Sequence, residues 1–191
     1  FSIFNFQSIF NYLILGLLSH ESLSGYDIKK RMESSIRYFW EISFGQIYPE
    51  LANLEKEGFI VKKIEINPES QNRKIYTITE KGIEVLKLWL LEPAGEEKLK
   101  YPILVKLFFA HEIPIQTSID QLNNFSKRNE NNLNMMGYYE KELRSALEEN
   151  DDHTYFLLTV LLGKKIYQAQ IDWAEESIQI LNDLKIKKER K

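Results

Sequence analysis

Ser43-Phe44-Gly45-Gln46-Ile47-Tyr48-Pro49-Glu50-Leu51-Ala52-Asn53-Leu54-Glu55-Lys56-Glu57-Gly58-Phe59 is the stretch on which the reading of this chain turns. Ile47, Leu51 and Leu54 recur at steps of four and three, so they share one face of a helix and predict a buried stripe. Gln46, Pro49, Glu50 and Asn53 then fall on the outer face. Ser43 and Gln46 have capping-box spacing, which predicts that the helix opens there. Pro49 lies near the end of the first turn, where its missing N–H predicts a bend or a tightened turn. Gly58 is placed to end the helix in the left-handed conformation that side chains disfavour.

The next residues change period. Phe59 to Glu65 is rich in β-branched side chains and reads as a strand, Asn67 to Asn72 is turn chemistry, and Arg73 to Ile78 alternates as a return strand. Thr79 is expected to cap a helix from Glu80 to Leu91, with Ile83, Leu86 and Leu90 on its apolar face and Trp89 beside it. A helix that stops at a glycine and runs straight into a short ribbon is the layout of a winged helix-turn-helix. There one helix is offered to a DNA groove and the ribbon forms the wing.

On the N-terminal side, Ile9, Phe10, Leu13, Ile14, Leu17 and Leu18 predict a buried helix ending near His20. Ser24 and Asp27 form a further capping-box pair ahead of a helix over Gly25 to Ser34. On the other side, Glu92-Pro93-Ala94-Gly95 breaks the pattern. The expected division is therefore a winged helix-turn-helix domain over 1–92 and a helical domain over 93–191. Beyond the break we expect a short helix from Ile103 to Ala110. A long one follows from Thr117 or Ser118 to about Glu149, and a last one from Thr154 to about Lys187. Tyr167, Ile171, Ala174, Ile178 and Leu181 recur at alternating steps of four and three, the spacing of a coiled-coil-like seam, here expected to join two subunits. The fold class is mostly α with a small β-hairpin wing: a winged helix-turn-helix plus a C-terminal antiparallel helical dimerisation domain.

Composition removes several function classes. An apolar share of 43% over 191 residues supports one large or two small packed domains. Cysteine is absent, and the three histidines (His20, His111, His153) are dispersed, so no metal site is expected. Gly163-Lys164-Lys165 lacks the flanking residues of a phosphate loop, and no hydroxyl has an evident His–acid relay. Neither an enzyme nor a cofactor is expected. The net charge of −3 argues against a nonspecific nucleic-acid coater. It leaves room for a specific reader, which needs only one positive face. No apolar run reaches membrane-spanning length. Phe1 to Phe6 lack the charged start of a signal peptide, and the chain opens without Met. A processed or truncated start and a cytoplasmic location are expected.

Four blocks carry a family resemblance: Leu15-Gly16-Leu17-Leu18, then Ser24-Gly25-Tyr26-Asp27-Ile28, then Gly45-Gln46-Ile47-Tyr48-Pro49 with Leu51, Leu54, Glu55 and Gly58-Phe59-Ile60, and finally Tyr76-Thr77-Ile78-Thr79-Glu80 with Gly82. Together they resemble the PadR family of bacterial transcriptional regulators. The helical remainder is similar to the C-terminal domain of the family's larger members, which resembles that of virulence-gene activators. The resemblance implies a homodimer joined through its C-terminal helices on an inverted-repeat operator near a promoter. It also implies that a small aromatic effector is a candidate ligand, as for some members.

Helix-turn-helix geometry nominates Ser43, Gly45, Gln46, Tyr48, Pro49 and Asn53 for the DNA face. Gln and Asn each match adenine bidentately in the major groove. Gln46 is equally readable as a capping partner, and Tyr48 either meets a phosphate or packs on the wing. Gln71, Asn72, Arg73 and Lys74 sit at the wing, where they reach phosphates or a minor groove, or merely form a charged edge. Lys29, Lys30, Lys62 and Lys63 have weaker claims. The C-terminal aromatics, among them Tyr101, Phe108, Tyr138, Tyr155 and Trp173, either wall an effector pocket or fill a core or dimer seam; core or seam is the favoured reading. A rival reading is a protein-interaction module on a winged-helix scaffold, which the acidic balance supports.

Overall fold

Phe10, Ile14, Leu15 and Leu18 carry the first helix, α1 (Ile9–His20), into a core that also takes in every later element up to α4. The computed structural model describes residues 9–40, 43–65, 72–97 and 99–190. The expectations placed on Phe1 to Phe6 and on the wing tip, Gln71 included, lie outside those residues. The chain divides into two compact units, Phe1–Glu96 and Glu97–Lys191.

In the first unit Ser24 caps α2 (Gly25–Ser34) with a complete capping box. Its hydroxyl accepts from the Asp27 amide, and the Asp27 carboxylate accepts from the Ser24 amide and hydroxyl. α3 (Ile47–Lys56) buries Ile47, Leu51 and Leu54 to 1% exposure or less, the stripe expected from their spacing. Gly58 ends it at φ +75°. β2 (Ile60–Glu65) and β3 (Arg73–Ile78) form the antiparallel ribbon, with Ile60 opposite Ile78 and Glu65 opposite Arg73. A third strand, β1 (Leu23–Ser24), pairs with β3 on its other edge, giving the order β1-β3-β2. Two residues are too short a run to show periodicity, so the sequence pattern gives no sign of this strand.

Thr79 caps α4 (Glu80–Leu90), its hydroxyl accepting from the Gly82 amide at 3.1 Å. The inward face of α4 is Gly82, Val85, Leu86 and half-buried Trp89, whose ring stacks on Tyr12 of α1 at 4.4 Å. This corrects the expected Ile83–Leu86–Leu90 face: Leu90 is 64% exposed. The cause is Gly82, whose Cα passes so close to the residue ahead of β2 that an added Cβ would lie 2.2 Å from the Phe59 carbonyl oxygen. That approach sets the rotation of the helix.

The second unit opens with α5 (Pro102–Phe108), followed by α6 (Ile115–Ser145) and α7 (Asp152–Glu189). α6 begins after Pro114, ahead of the expected Thr117 or Ser118, because proline presets the φ of a helix entry and Ser118 is buried inside the helix. α6 and α7 form an antiparallel hairpin. Phe125 meets Trp173 edge-to-face at 5.6 Å, Lys164 Nζ donates to Glu140 Oε2 at 2.6 Å, and the His153 ring nitrogen Nδ1 lies 2.6 Å from the Ala146 carbonyl. The expected intersubunit seam is partly closed within the chain. Ala174 is fully buried with Leu122 and Phe125, Ile178 and Leu181 pack on that cluster, Ile171 is 6% exposed, and Tyr167 is half-buried. Heptad spacing announces that a helix needs a partner without naming it, and the short 146–151 connection supplies α6. Among the described residues no helix is long and apolar enough to cross a membrane.

Two outcomes test this packing. Gly82→Ala should lower stability by about 1–3 kcal/mol, read from the denaturant midpoint, because a backbone carbonyl cannot step aside. Glu140, largely covered, has its carboxyl held below the usual carboxylate range by hydrogen bonds from Lys164 and Arg144. A carboxylate whose folded pKa is depressed contributes stability above its unfolded value, about 4.3, and loses it as pH falls through the folded one. The stability gap between wild type and Glu140→Gln should therefore be full at pH 7 and narrow below pH ~4 in thermal melts of the whole chain. A gap that stays constant would contradict the assignment.

Candidate nucleic-acid interface

α2 and α3 are the two helices of the helix-turn-helix, and the chain enters α3 through a 3-10 turn, Phe44–Gln46. The Gln46 amide donates to the Ser43 carbonyl at 3.0 Å. That backbone bond uses the N–H that a Ser43 cap would have taken, and neither the Ser43 nor the Gln46 side chain makes a capping hydrogen bond. The expected Ser43–Gln46 capping box is thus absent, and the capping role that competed with base contact for Gln46 falls away. Pro49 is the third residue of α3, a position whose N–H would have no intrahelical acceptor, so it breaks nothing. The predicted tightening sits just upstream, in the 3-10 turn.

Ser43, Gly45, Gln46, Tyr48, Pro49 and Asn53 are all exposed. Tyr48, Pro49 and Asn53 lie on α3 away from buried Ile47, Leu51 and Leu54, and Ser43, Gly45 and Gln46 belong to the turn that leads into it. The Asn53 amide donates to Glu50 Oε2 at 3.3 Å, which steers it along the helix. Tyr48 is 62% exposed, and its ring lies over Gly25 at the start of α2, so close that an added Cβ there would sit 2.6 Å from Cε1. At the far end of α3, Lys81 Nζ donates to the Glu57 carbonyl at 2.7 Å, placing a cation at the negative end of the helix.

The wing is tied down on both sides. Lys62 of β2 donates to Glu55 of α3 at 2.7 Å. Arg73 of β3 reaches across β1 to Asp27, with both carboxylate oxygens accepting at 2.7 and 2.5 Å. Burial pushes the Asp27 carboxyl up, but the Ser24 hydroxyl, the Ser24 amide and Arg73 together outweigh it and hold the group below its ordinary value. Lys29 lies over the Phe44 ring and pairs with Glu33. Lys30, Lys63, Lys74 and Asn72 are exposed, and the three lysines have no ion-pair partner among the described residues. The local sequence marks Asp27 as a cap alone. Its bond to Arg73 spans 46 positions and leaves no local signal. No group of acids and histidines suited to a metal ion occurs among the described residues.

A family model for the transcriptional regulator PadR-like family matches residues 14–88, and one for the virulence activator alpha C-terminal region matches residues 99–182. The negative transcriptional regulator PadR of Bacillus subtilis (strain 168) is 31% identical over 180 residues, covering 91% of this chain and 98% of that protein. The crystal structure of Bacillus subtilis PadR in complex with operator DNA is similar at a TM-score of 0.79 and 28% identity, covering 91% of this chain and 97% of that one. The complex of Bacillus subtilis PadR with p-coumaric acid gives a TM-score of 0.70 and 27% identity, covering 92% and 99%. With a winged helix-turn-helix in its first unit, a helical second unit and a relative this similar along its whole length, the chain belongs to the PadR-like family of transcriptional regulators.

Proposed function

We propose that the chain acts as a homodimer that reads an inverted-repeat operator, with α3 in the major groove and the wing along the flanking backbone. The observation that carries this reading is the outward face of α3. Gln46, the residue that leads into α3, and Asn53, in its second half, are presented to solvent beside a helix whose other face, Ile47, Leu51 and Leu54, is buried. Both side chains match the edge of adenine. Ser43, Gly45 and the exposed helix start suit a phosphate, and Pro49 shapes the surface between them. At the wing, Lys74, Lys63 and Asn72 are assigned to phosphates, with Lys30 on α2. Arg73, held by Asp27, enters as a strut. That a relative was solved in complex with operator DNA supports DNA as the partner. A regulator of this kind works in the bacterial cytoplasm.

Dimerisation rests on what the hairpin leaves uncovered. Tyr155, Leu158, Leu162 and Ile166 lie along one side of α7 at steps of three and four and are 41–67% exposed. A second copy covering that row would bury it and hold two reading helices about 34 Å apart, one DNA turn, or a multiple of it. A small aromatic effector, as in the relative's complex with p-coumaric acid, would act by binding one separation more tightly than another.

Selection of duplexes from a random pool by the purified chain is the primary test. An enriched pseudo-palindrome is expected; recovery of no sequence would sink the reading and favour a protein-interaction module. On the selected duplex, Gln46→Ala should cost about 1–3 kcal/mol and relax preference at one base pair per half-site. Lys74→Ala should weaken all sequences alike and lower the salt slope by about one. Leu158→Glu with Leu162→Glu should convert the dimer to monomer in analytical ultracentrifugation. An unchanged sedimentation coefficient would exclude that face.

A further inference from the structure

The turn from Ser24 to Asp27 touches both elements that the proposed function sends to DNA. Ser24 belongs to β1 and is paired to Ile75 of the wing strand β3. Asp27 accepts from the Arg73 guanidinium of that same strand, and Arg73 also lies 3.4 Å from the Ser24 hydroxyl. Gly25, between them, is the floor under the Tyr48 ring of α3. One four-residue turn therefore meets the reading helix at one point and the wing at another.

From this juxtaposition we infer that Gly25 and Asp27 are positioning residues for DNA recognition. Gly25 seats Tyr48, Asp27 anchors the wing through Arg73, and the turn fixes the angle between helix and ribbon. The inference rests on the reading of α3 and the wing as the DNA-contacting elements. It adds that the precision of the contact is set by residues that do not themselves touch the duplex. An anion is the decisive member. Asp27 is a carboxylate on the side of the molecule that meets phosphates, so Coulomb's law alone makes it unfavourable for binding. Its alternative value lies in holding Arg73. The side chain of Gly25 is likewise absent for a positional reason. Alanine at this first helical position would favour the helix, yet its Cβ would displace a tyrosine ring.

The two contributions have opposite signs, which makes the test sharp. The full-length chain is titrated against the duplex it selects from a random pool, as wild type, Asp27→Asn, Arg73→Gln and the double variant. If the wild type selects nothing, the DNA-binding reading itself fails, a result distinct from any variant behaving unexpectedly. As a strut, the pair predicts that each single variant binds about five- to tenfold more weakly, that the double variant is no worse than either, and that the salt slope is unchanged. If Asp27→Asn binds as tightly as wild type or more tightly, or Arg73→Gln lowers the slope by about one, Arg73 is a phosphate ligand and the inference is overturned. Gly25→Ala keeps the question open to test should Asp27→Asn fold poorly. It should melt at or above the wild-type temperature while binding the selected duplex several-fold more weakly. Wild-type affinity in that variant would overturn the role given to Gly25.

Discussion

The carbonyl of Phe59 is where the first unit is joined. It accepts the Thr79 amide at 2.9 Å, and the Thr79 hydroxyl is shared between it, at 3.1 Å, and the Gly58 carbonyl at 2.8 Å. Gly82 lies against the same oxygen at a distance that no other residue tolerates. At this one place α3 has just ended, β2 is beginning and α4 is about to start. The left-handed Gly58 aims the oxygen, Thr79 binds it, and the close pass of Gly82 sets which side of α4 turns inward. Tyr12 and Trp89 then stack because that rotation brings them together. The outward face of α3 is a consequence: once Ile47, Leu51 and Leu54 are locked under the sheet and helices, the remaining side chains have only solvent.

Charge in the first unit is arranged rather than plentiful. Lys62 is matched with Glu55 and Arg73 with Asp27. Such exposed or half-exposed pairs contribute little stability individually. Their effect is geometric, because each joins the wing to a helix of the helix-turn-helix. Of the lysines without an ion-pair partner among the described residues, those on α2 and the wing, Lys30, Lys63 and Lys74, form a sparse set. A site built this way depends on orientation more than on a long-range positive field, in keeping with a chain that is acidic overall.

What the sequence disclosed was whatever is written locally. The Ser24–Asp27 box, the Ile47–Leu51–Leu54 stripe, the Gly58 stop and the paired strands each lie within a few residues of their cause. The stripe's exposed complement, and with it Gln46 and Asn53, was legible for the same reason. Local pattern misleads where two signals compete or where the partner is distant. Ser43 and Gln46 have the spacing of a cap, but a 3-10 turn satisfies the same N–H from the backbone. The seam on α7 was correctly apolar, yet its period is blind to whether α6 or another chain covers it. β1, the Asp27–Arg73 bond and the Tyr48–Gly25 contact join segments tens of residues apart, and no window of sequence contains them.

The two ends of α3 are held in very different ways. Its C-terminus is bolted by Lys81, Gly58 and the Phe59 turn, while its N-terminus is entered through a single 3-10 turn with no side-chain cap. Phe44 of that turn packs on the core, whereas Ser43, Gly45 and Gln46 are exposed, so these three can be exchanged with little consequence for folding. A lineage built on this scaffold can acquire a new vocabulary by rewriting one short entry segment while the architecture behind it stays as it was.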